Sequence, residues 1–250
     1  MSYSIVIPSR FASTRLPGKP LLEIGGISMI QRVYERAVKT QADKVIVATD
    51  DQRIFDAVTT FGGDVEMTAA EHQSGTDRIQ EVAAKRQFDR QHVVVNVQGD
   101  EPFMAIECVE QVAENLLNSD AGIATLCEPI TQSGELLDPN AVKVVRDNQN
   151  MALYFSRAPI PYNKEYAVPN QNIRWYRHCG IYAYRVDVLN QFIHWPAAML
   201  EKSESLEQLR ALAHGVKIHC AEAVVAVPGG IDTEQDLEAA RQLIKQQTEN

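Results

Sequence analysis

Three observations in the sequence predict an α/β fold, a mainly parallel sheet with helices on both faces. Short β-branched runs alternate with segments of helical spacing through the first half of the chain. One run, HVVVNV at 92–97, is almost continuously apolar, as a strand buried on both faces must be. The length of 250 residues suits one large domain with a small appended lobe.

Taken in order, SIVIP at 4–8 reads as the first strand, followed by a Gly/Pro-containing loop to Pro20. Residues 28–39 place Met29, Ile30, Val33 and Ala37 on one helical face. KVIVA at 44–48 is a second strand, closed by Thr49-Asp50-Asp51. A helix then runs to about Phe61, stopped by Gly62-Gly63, and a short strand follows at 65–67. Helical spacing returns at 76–86, ahead of the strand at 92–97 and a helix beginning near Ile106. Ligands bind outside the carboxyl ends of strands in such sheets, which directs attention to the loops after Ile7, Ala48 and Val97.

The second half is less regular. Strands are expected at 123–126, 142–145, 153–155 and 179–184, and helices at 204–213 and 233–246. The stretch 158–172, rich in Pro, Asn and Tyr, reads as a loop or flap. No internal repeat or low-complexity linker divides the chain, so residues 1–250 read as a single domain. The second half, 121–250, reads as a lobe grafted on a first half that runs to about residue 120.

A net charge of −9 argues against nucleic acid as a partner. The basic residues are unevenly spread, and Arg10, Arg15 and Lys19 fall in one ten-residue stretch without an acid, as a small anionic ligand requires. Cys108, Cys127, Cys179 and Cys220 show no C-x-x-C spacing, so free thiols in a reducing cytosol are expected rather than a zinc site. No apolar run approaches the roughly 18 residues of a membrane span, and Ser9-Arg10 interrupts the first one. The expectation is a cytoplasmic protein without a membrane partner.

Four segments carry chemistry. SRFASTRLPGKP at 9–20 offers backbone N–H groups, hydroxyls at Ser13 and Thr14, and three cations to a triphosphate. It is not a Walker A loop, because Pro20 stands where Ser or Thr is needed. Gln98-Gly99-Asp100-Glu101-Pro102 ends the buried strand, and Asp100 is the leading candidate to hold magnesium, a hard cation that takes carboxylate and phosphate oxygens. Asp100 is also a competent turn or cap residue. Ser74-Gly75-Thr76-Asp77-Arg78 opens a helix, where a cap and an anion site are compatible readings. Asp232 stands 132 positions after Asp100, and only folding can bring the two to one metal. Its neighbours offer the competing reading, an N-cap, since Thr233-x-x-Asp236 approximates a capping box. Singly, Arg157, Arg177, His178, Tyr182, Glu207, Gln208 and Arg210 have no spacing that raises them above surface residues. His178 invites a general-base role, yet no orienting partner lies near it in sequence.

In series, SRFASTRLPGKPL, VATDD, HQSGTDR, NVQGDEP, NAVKVV, ALYFSRAPIP, RHCGIYAYR, LEQLRAL and GIDTEQDLE resemble the 3-deoxy-manno-octulosonate (Kdo) cytidylyltransferase family from about residue 4 to residue 240. The resemblance implies a nucleotide-diphospho-sugar transferase-like fold, a homodimer with a small dimerisation lobe, and the conversion of CTP and Kdo to CMP-Kdo and pyrophosphate. Its product would feed lipopolysaccharide synthesis. Carried over by motif, Arg10, Ser13, Arg15 and Lys19 would hold the triphosphate of CTP, helped by Ser74, Gly75 and Arg78. Asp100 and Asp232 would bind Mg2+. Gln98, Arg157, His178, Tyr182, Glu207 and Gln208 would surround the sugar acid, with Arg157 forking onto its carboxylate. Arg10, Lys19 and Asp100 would act in catalysis. The glycine loop before Asp232 is slightly shorter than the family's, and 8-amino-Kdo or another acidic sugar remains open as the acceptor.

Overall fold

Successive side chains of a strand point to opposite faces, and the first strand shows why this sheet is covered on both. In the computed structural model, which describes residues 2–12, 16–72, 74–163 and 174–248, β1 (Tyr3–Pro8) sends Ile5 and Ile7 into one apolar cluster and Val6 into another. After β1 come a 3-10 turn, Lys19–Leu21, and a hairpin of β2 (Glu23–Ile24) and β3 (Ile27–Ser28). The first half continues with α1 (Met29–Ala37), β4 (Lys44–Thr49), α2 (Gln52–Thr60), β5 (Asp64–Met67), α3 (Gly75–Lys85), β6 (Val93–Asn96) and α4 (Ile106–Leu117). The second contains β7 (Ile123–Pro129), α5 (Ser133–Leu137), β8 (Lys143–Arg146), β9 (Ala152–Ser156), β10 (Tyr176–Arg185) and α6 (Val186–Phe192). It ends with α7 (Met199–Glu204), α8 (Gln208–Ala213), β11 (Ile218–Glu222) and α9 (Glu234–Thr248).

The main sheet runs β11-β7-β10-β6-β1-β4-β5, with β8 and β9 attached through β10. β6, β1, β4 and β5 run parallel to one another, and β7 is parallel to β11. Ile30 and Val33 of α1, Val58 of α2 and Val112 of α4 cover one face. Ile79 and Val82 of α3, Leu189 of α6 and Leu209 of α8 cover the other. Each such buried side chain contributes about 2 kcal/mol of transfer free energy, so losing either layer would leave the sheet unstable. All four cysteines are free and buried.

The α/β fold of the sequence reading is present, and three features add to it. β10 lies antiparallel between β6 and β7, with a register shift between Cys179 and Tyr182. β2, β3, α5, α6 and β11 were not among the expected elements. Residues 204–213, expected as one helix, hold only the last residue of α7 and then, after a break, α8. The break falls at Ser205, which adopts the left-handed conformation at φ 53°. Arg157 explains it: Nε donates to the Glu204 carbonyl at 2.7 Å and Nη2 to that of Ser205 at 3.4 Å. A continuous helix would use those carbonyls internally.

A smaller apolar cluster joins the two ends of the chain. Leu16, Ile24 and Met29 pack with Ile231, Leu237 and Ala240. This packing brings the segment before α9 back to the loop after β1. Of the expected flap at 158–172, residues 164–172 lie outside the described residues.

Candidate active site

A cavity of about 690 Å3 opens where the first-half strands end. Pro8, Ser9 and Arg10 line it from the carboxyl end of β1, and Gln98, Gly99 and Asp100 from that of β6. Lys19, His72, Ser74, Gly75, Arg78 and Asp232 complete the wall. The two strand-end loops can approach closely because residue 99 is glycine: a Cβ there would stand 3.0 Å from the Pro8 carbonyl oxygen.

Lys19 is delivered by the 3-10 turn, whose first position follows Gly18 at φ 68°. Its ammonium donates to Asp100 Oδ2 at 2.6 Å and to Asp232 Oδ1 at 3.0 Å. The Lys19 side chain is 12% exposed, whereas Asp100 and Asp232 are 30% and 50% exposed. The cation is therefore the inner member of the group, and both carboxylates face the cavity. The two acids meet because the Ile231 N–H donates to the Asp100 carbonyl at 2.9 Å. Thr233 and Asp236 form the reciprocal capping pair of α9, which frees the Asp232 carboxylate from capping duty. Burial and the neighbouring charge of Asp100 push the Glu101 carboxyl up to about 7.

The α3 terminus forms the opposite wall. Ser74 Oγ accepts from the Asp77 N–H, and Asp77 answers to the Ser74 N–H, a full capping box. Arg78 is buried, hydrogen-bonded to Thr68 Oγ1 and ion-paired to Asp50 Oδ2 at 2.7 Å. It therefore ties α3 to the end of β4 while presenting its edge to the cavity. Asp50 is a site residue the sequence reading named only as part of a strand end.

The residues assigned to the sugar separate into groups. Gln98 lines the main cavity. Tyr182, Glu207 and Gln208 line a second hollow of about 50 Å3 with Tyr184 and Phe192. Thr76 Oγ1 donates to Glu207 Oε2 at 2.6 Å, so α3 connects the two hollows. His178 pairs with Thr125 Oγ1 at 2.9 Å and packs edge-on against Phe155. Burial, helped by the charge of Arg177, lowers it to about 3, so it is neutral and a poor base. Arg157 is partly engaged by the main chain. Besides its two bonds to Glu204 and Ser205, Nη1 donates to the Pro139 carbonyl at 2.9 Å. These bonds use three of the five guanidinium N–H groups and leave two to meet a further acceptor. Ser13 and Arg15 lie outside the described residues.

Side chains that no local pattern flagged also shape the site. Phe11 packs its ring edge on Gly18, and the Arg53 guanidinium sits 3.3 Å from the ring centroid. His72 is hydrogen-bonded to Glu81 at the cavity margin. Such contacts span elements, and only the position of Arg53 just after the second strand-end loop hinted at a role.

With this geometry in place, comparison with known proteins is informative. A family model described as cytidylyltransferase matches residues 4–218. The chain is 53% identical to the 3-deoxy-manno-octulosonate cytidylyltransferase of Saccharophagus degradans, over 98% of this chain and 99% of that one. It is 54% identical to the protein of that name from Photobacterium profundum, over 98% and 100% of the two chains. A solved structure of CMP:2-keto-3-deoxy-manno-octonic acid synthetase complexed with CTP superposes with a TM-score of 0.90 at 45% identity, covering 98% of this chain and 99% of that one. By the family match and the full-length relatives together, the chain belongs to the cytidylyltransferases, within the group of the 3-deoxy-manno-octulosonate enzymes.

Proposed function

We propose that the protein transfers CMP from CTP to the anomeric 2-hydroxyl of Kdo, releasing pyrophosphate. The observation that carries this reading is the convergence of Lys19, Asp100 and Asp232 at the mouth of a cavity lined by strand-end loops. The full-length relatives and the CTP-bound neighbour support the choice of nucleotide and sugar.

The reaction joins two anions. At about 4 Å and an effective dielectric near 20, each unit-charge pair costs roughly 4 kcal/mol, so cationic groups are indispensable. Arg10 and Lys19 would stabilise charge moving to the departing pyrophosphate as the hydroxyl oxygen attacks the α-phosphorus in line. Ser74, Gly75 and Arg78 would position the nucleotide, with the α3 terminus favouring negative charge. Ser13 and Arg15 are retained as triphosphate contacts on their motif. Gln98, Tyr182, His178, Glu207 and Gln208 would form the acceptor side. Arg157 would meet the sugar carboxylate with its remaining N–H groups, while it also holds the Glu204–Ser205 bend from which Glu207 and Gln208 follow.

The donor set fits magnesium. Two carboxylate oxygens already converge on one cationic nitrogen, and hard cations take oxygen ligands. Among the described residues no group of three His, Cys, Asp or Glu could hold a metal. Asp100 and Asp232 would thus hold it together with substrate phosphates. When bound, magnesium supplies charge neutralisation at phosphate oxygens beside the attacking hydroxyl.

The enzyme would work as a cytoplasmic homodimer whose product enters lipopolysaccharide synthesis. Among the described residues no helix is long and apolar enough to cross a membrane. Pyrophosphate release in the presence of CTP, Mg2+ and Kdo tests the reading, with 8-amino-Kdo as a parallel acceptor. Release that needs all three components is expected; CTP binding with no pyrophosphate from either acceptor would overturn it.

A further inference from the structure

Lys19 sits on a loop whose composition does little to hold it. Gly18 adopts a left-handed conformation that only glycine enters readily, and Pro17 and Pro20 cannot donate backbone hydrogen bonds. Yet the Lys19 ammonium is placed within 3.0 Å of two carboxylates from distant segments. The turn closes on itself through the Lys19 N–H to the Leu16 carbonyl at 3.1 Å and the Leu21 N–H to the Gly18 carbonyl at 2.9 Å; a contact from outside can fix it against its neighbours.

Phe11 does so through two contacts. Its carbonyl accepts from the Gly18 N–H at 3.3 Å, and its ring leaves 3.0 Å between Cζ and the position a Gly18 Cβ would take. The ring is in turn covered by the Arg53 guanidinium at 3.3 Å from its centroid. Arg53 is itself oriented by a paired contact to Asp51, Nε to Oδ1 at 2.9 Å and Nη2 to Oδ2 at 2.7 Å. Asp51 also caps α2 by accepting from the Arg53 N–H at 2.9 Å. A rigid helix start thus reaches Lys19 through Asp51, Arg53, Phe11 and Gly18.

We propose that Phe11, held by Arg53, is a positioning residue that locks the Lys19 turn and thereby fixes the ammonium for its work on the triphosphate. The catalytic part of this inference rests on the proposed role of Lys19; the locking part stands on contacts within the chain. Neither Phe11 nor Arg53 lines the cavity, and their effect passes through the turn. Misplacing a charged group by about 1 Å is enough to cost up to a hundredfold in rate, so the lock has kinetic consequences.

Two measurements separate the parts. In a double-mutant cycle, Phe11→Ala is expected to lower kcat by about tenfold to a hundredfold with the KM for Kdo little changed. Phe11→Tyr should restore most of it. In a Lys19→Met background, Phe11→Ala should cost less than about twofold more, since residues acting as one unit are not additive. Full multiplication of the two losses would overturn the proposal. Independently, acetylation of Lys19 followed by mass spectrometry, with exposed Lys217 as the internal reference, should accelerate several-fold in Phe11→Ala. Unchanged labelling would overturn the lock whatever the kinetics show. Wild-type turnover in Lys19→Met would refute the role of Lys19 and leave labelling to judge the lock. Should Phe11→Ala fail to fold, Arg53→Met, a change at a largely exposed side chain, is expected to raise Lys19 labelling in the same direction.

Discussion

Lys19 Nζ lies 2.6 Å from Asp100 Oδ2, and the same nitrogen reaches Asp232, so one ammonium holds together two carboxylates separated by most of the chain. The ammonium compensates their charge, and the carboxylates remain turned to the cavity. Replacing Asp100 by Asn keeps the shape of the side chain and removes its charge. Turnover is expected to fall by about a hundredfold or more, with the thermal transition little changed. Binding of Mn2+ in the presence of CTP, followed by electron paramagnetic resonance, should weaken in parallel. Undiminished turnover would exclude Asp100 from the chemistry.

Arg78 and Asp50 make a second, more deeply enclosed pair, with side chains 4% and 18% exposed. Asp50→Ala leaves the guanidinium buried without its counter-charge, and the expected loss is about 3–5 kcal/mol by urea unfolding. Replacing both residues by apolar ones of similar volume should cost clearly less, because no charge is then stranded. Equal losses in the single and double variants would show that a stranded charge is not what Asp50→Ala costs.

Gly99 tests how tightly the two strand-end loops are matched. An added methyl meets the Pro8 carbonyl oxygen at 3.0 Å, a backbone atom that cannot rotate away. Gly99→Ala is expected to destabilise the protein by about 1–3 kcal/mol and to lower activity by shifting Asp100. A variant with unaltered unfolding midpoint and turnover would mean that the loops part without consequence.

His178 makes stability depend on pH in a definite direction. Its folded pKa of about 3 lies below the ordinary value of 6.5, because burial disfavours the cation. Between these values the unfolded chain binds the extra proton, so the contribution is intact above pH 6.5 and is lost as pH falls towards 3. One proton over that interval amounts to about 2 kcal/mol by pH 5. His92 and His219 are lowered as well, chiefly by burial, and add in the same sense. In His178→Asn the loss of stability between pH 7 and pH 5 should be smaller than in the wild type. An unchanged slope would place the imidazole in contact with water.

The parts of the site that could be read from sequence are those where chemistry and strand ends coincide locally. Asp100 follows the most apolar strand, and Lys19 follows the first, so a rule about strand ends located both. Asp232 could be paired with them only through resemblance, since the apolar contact of Ile231 with Leu16 and Ile24 has no sequence signature. Arg157 shows the reverse problem: its residue type suggests a carboxylate ligand, but nothing in the sequence announces that three of its five N–H groups also hold main-chain carbonyls. The direction of β10 was also hidden, because a β-branched run looks the same in a parallel and an antiparallel ladder. Phe11 and Arg53, 42 positions apart, reveal their relationship only as a stacked pair.

The packing of Ile231 against Leu16 has a consequence for synthesis on the ribosome. A nascent polypeptide halted before residue 228 could already form the parallel core, yet would hold an ammonium facing a single acid. Competence would arrive abruptly, when the last helix emerges from the exit tunnel and draws the missing oxygen donor into place. Premature termination near the end would therefore keep the parallel core while costing the small cluster that Ile231, Leu237 and Ala240 complete, and with it the contact that brings Asp232 to Lys19.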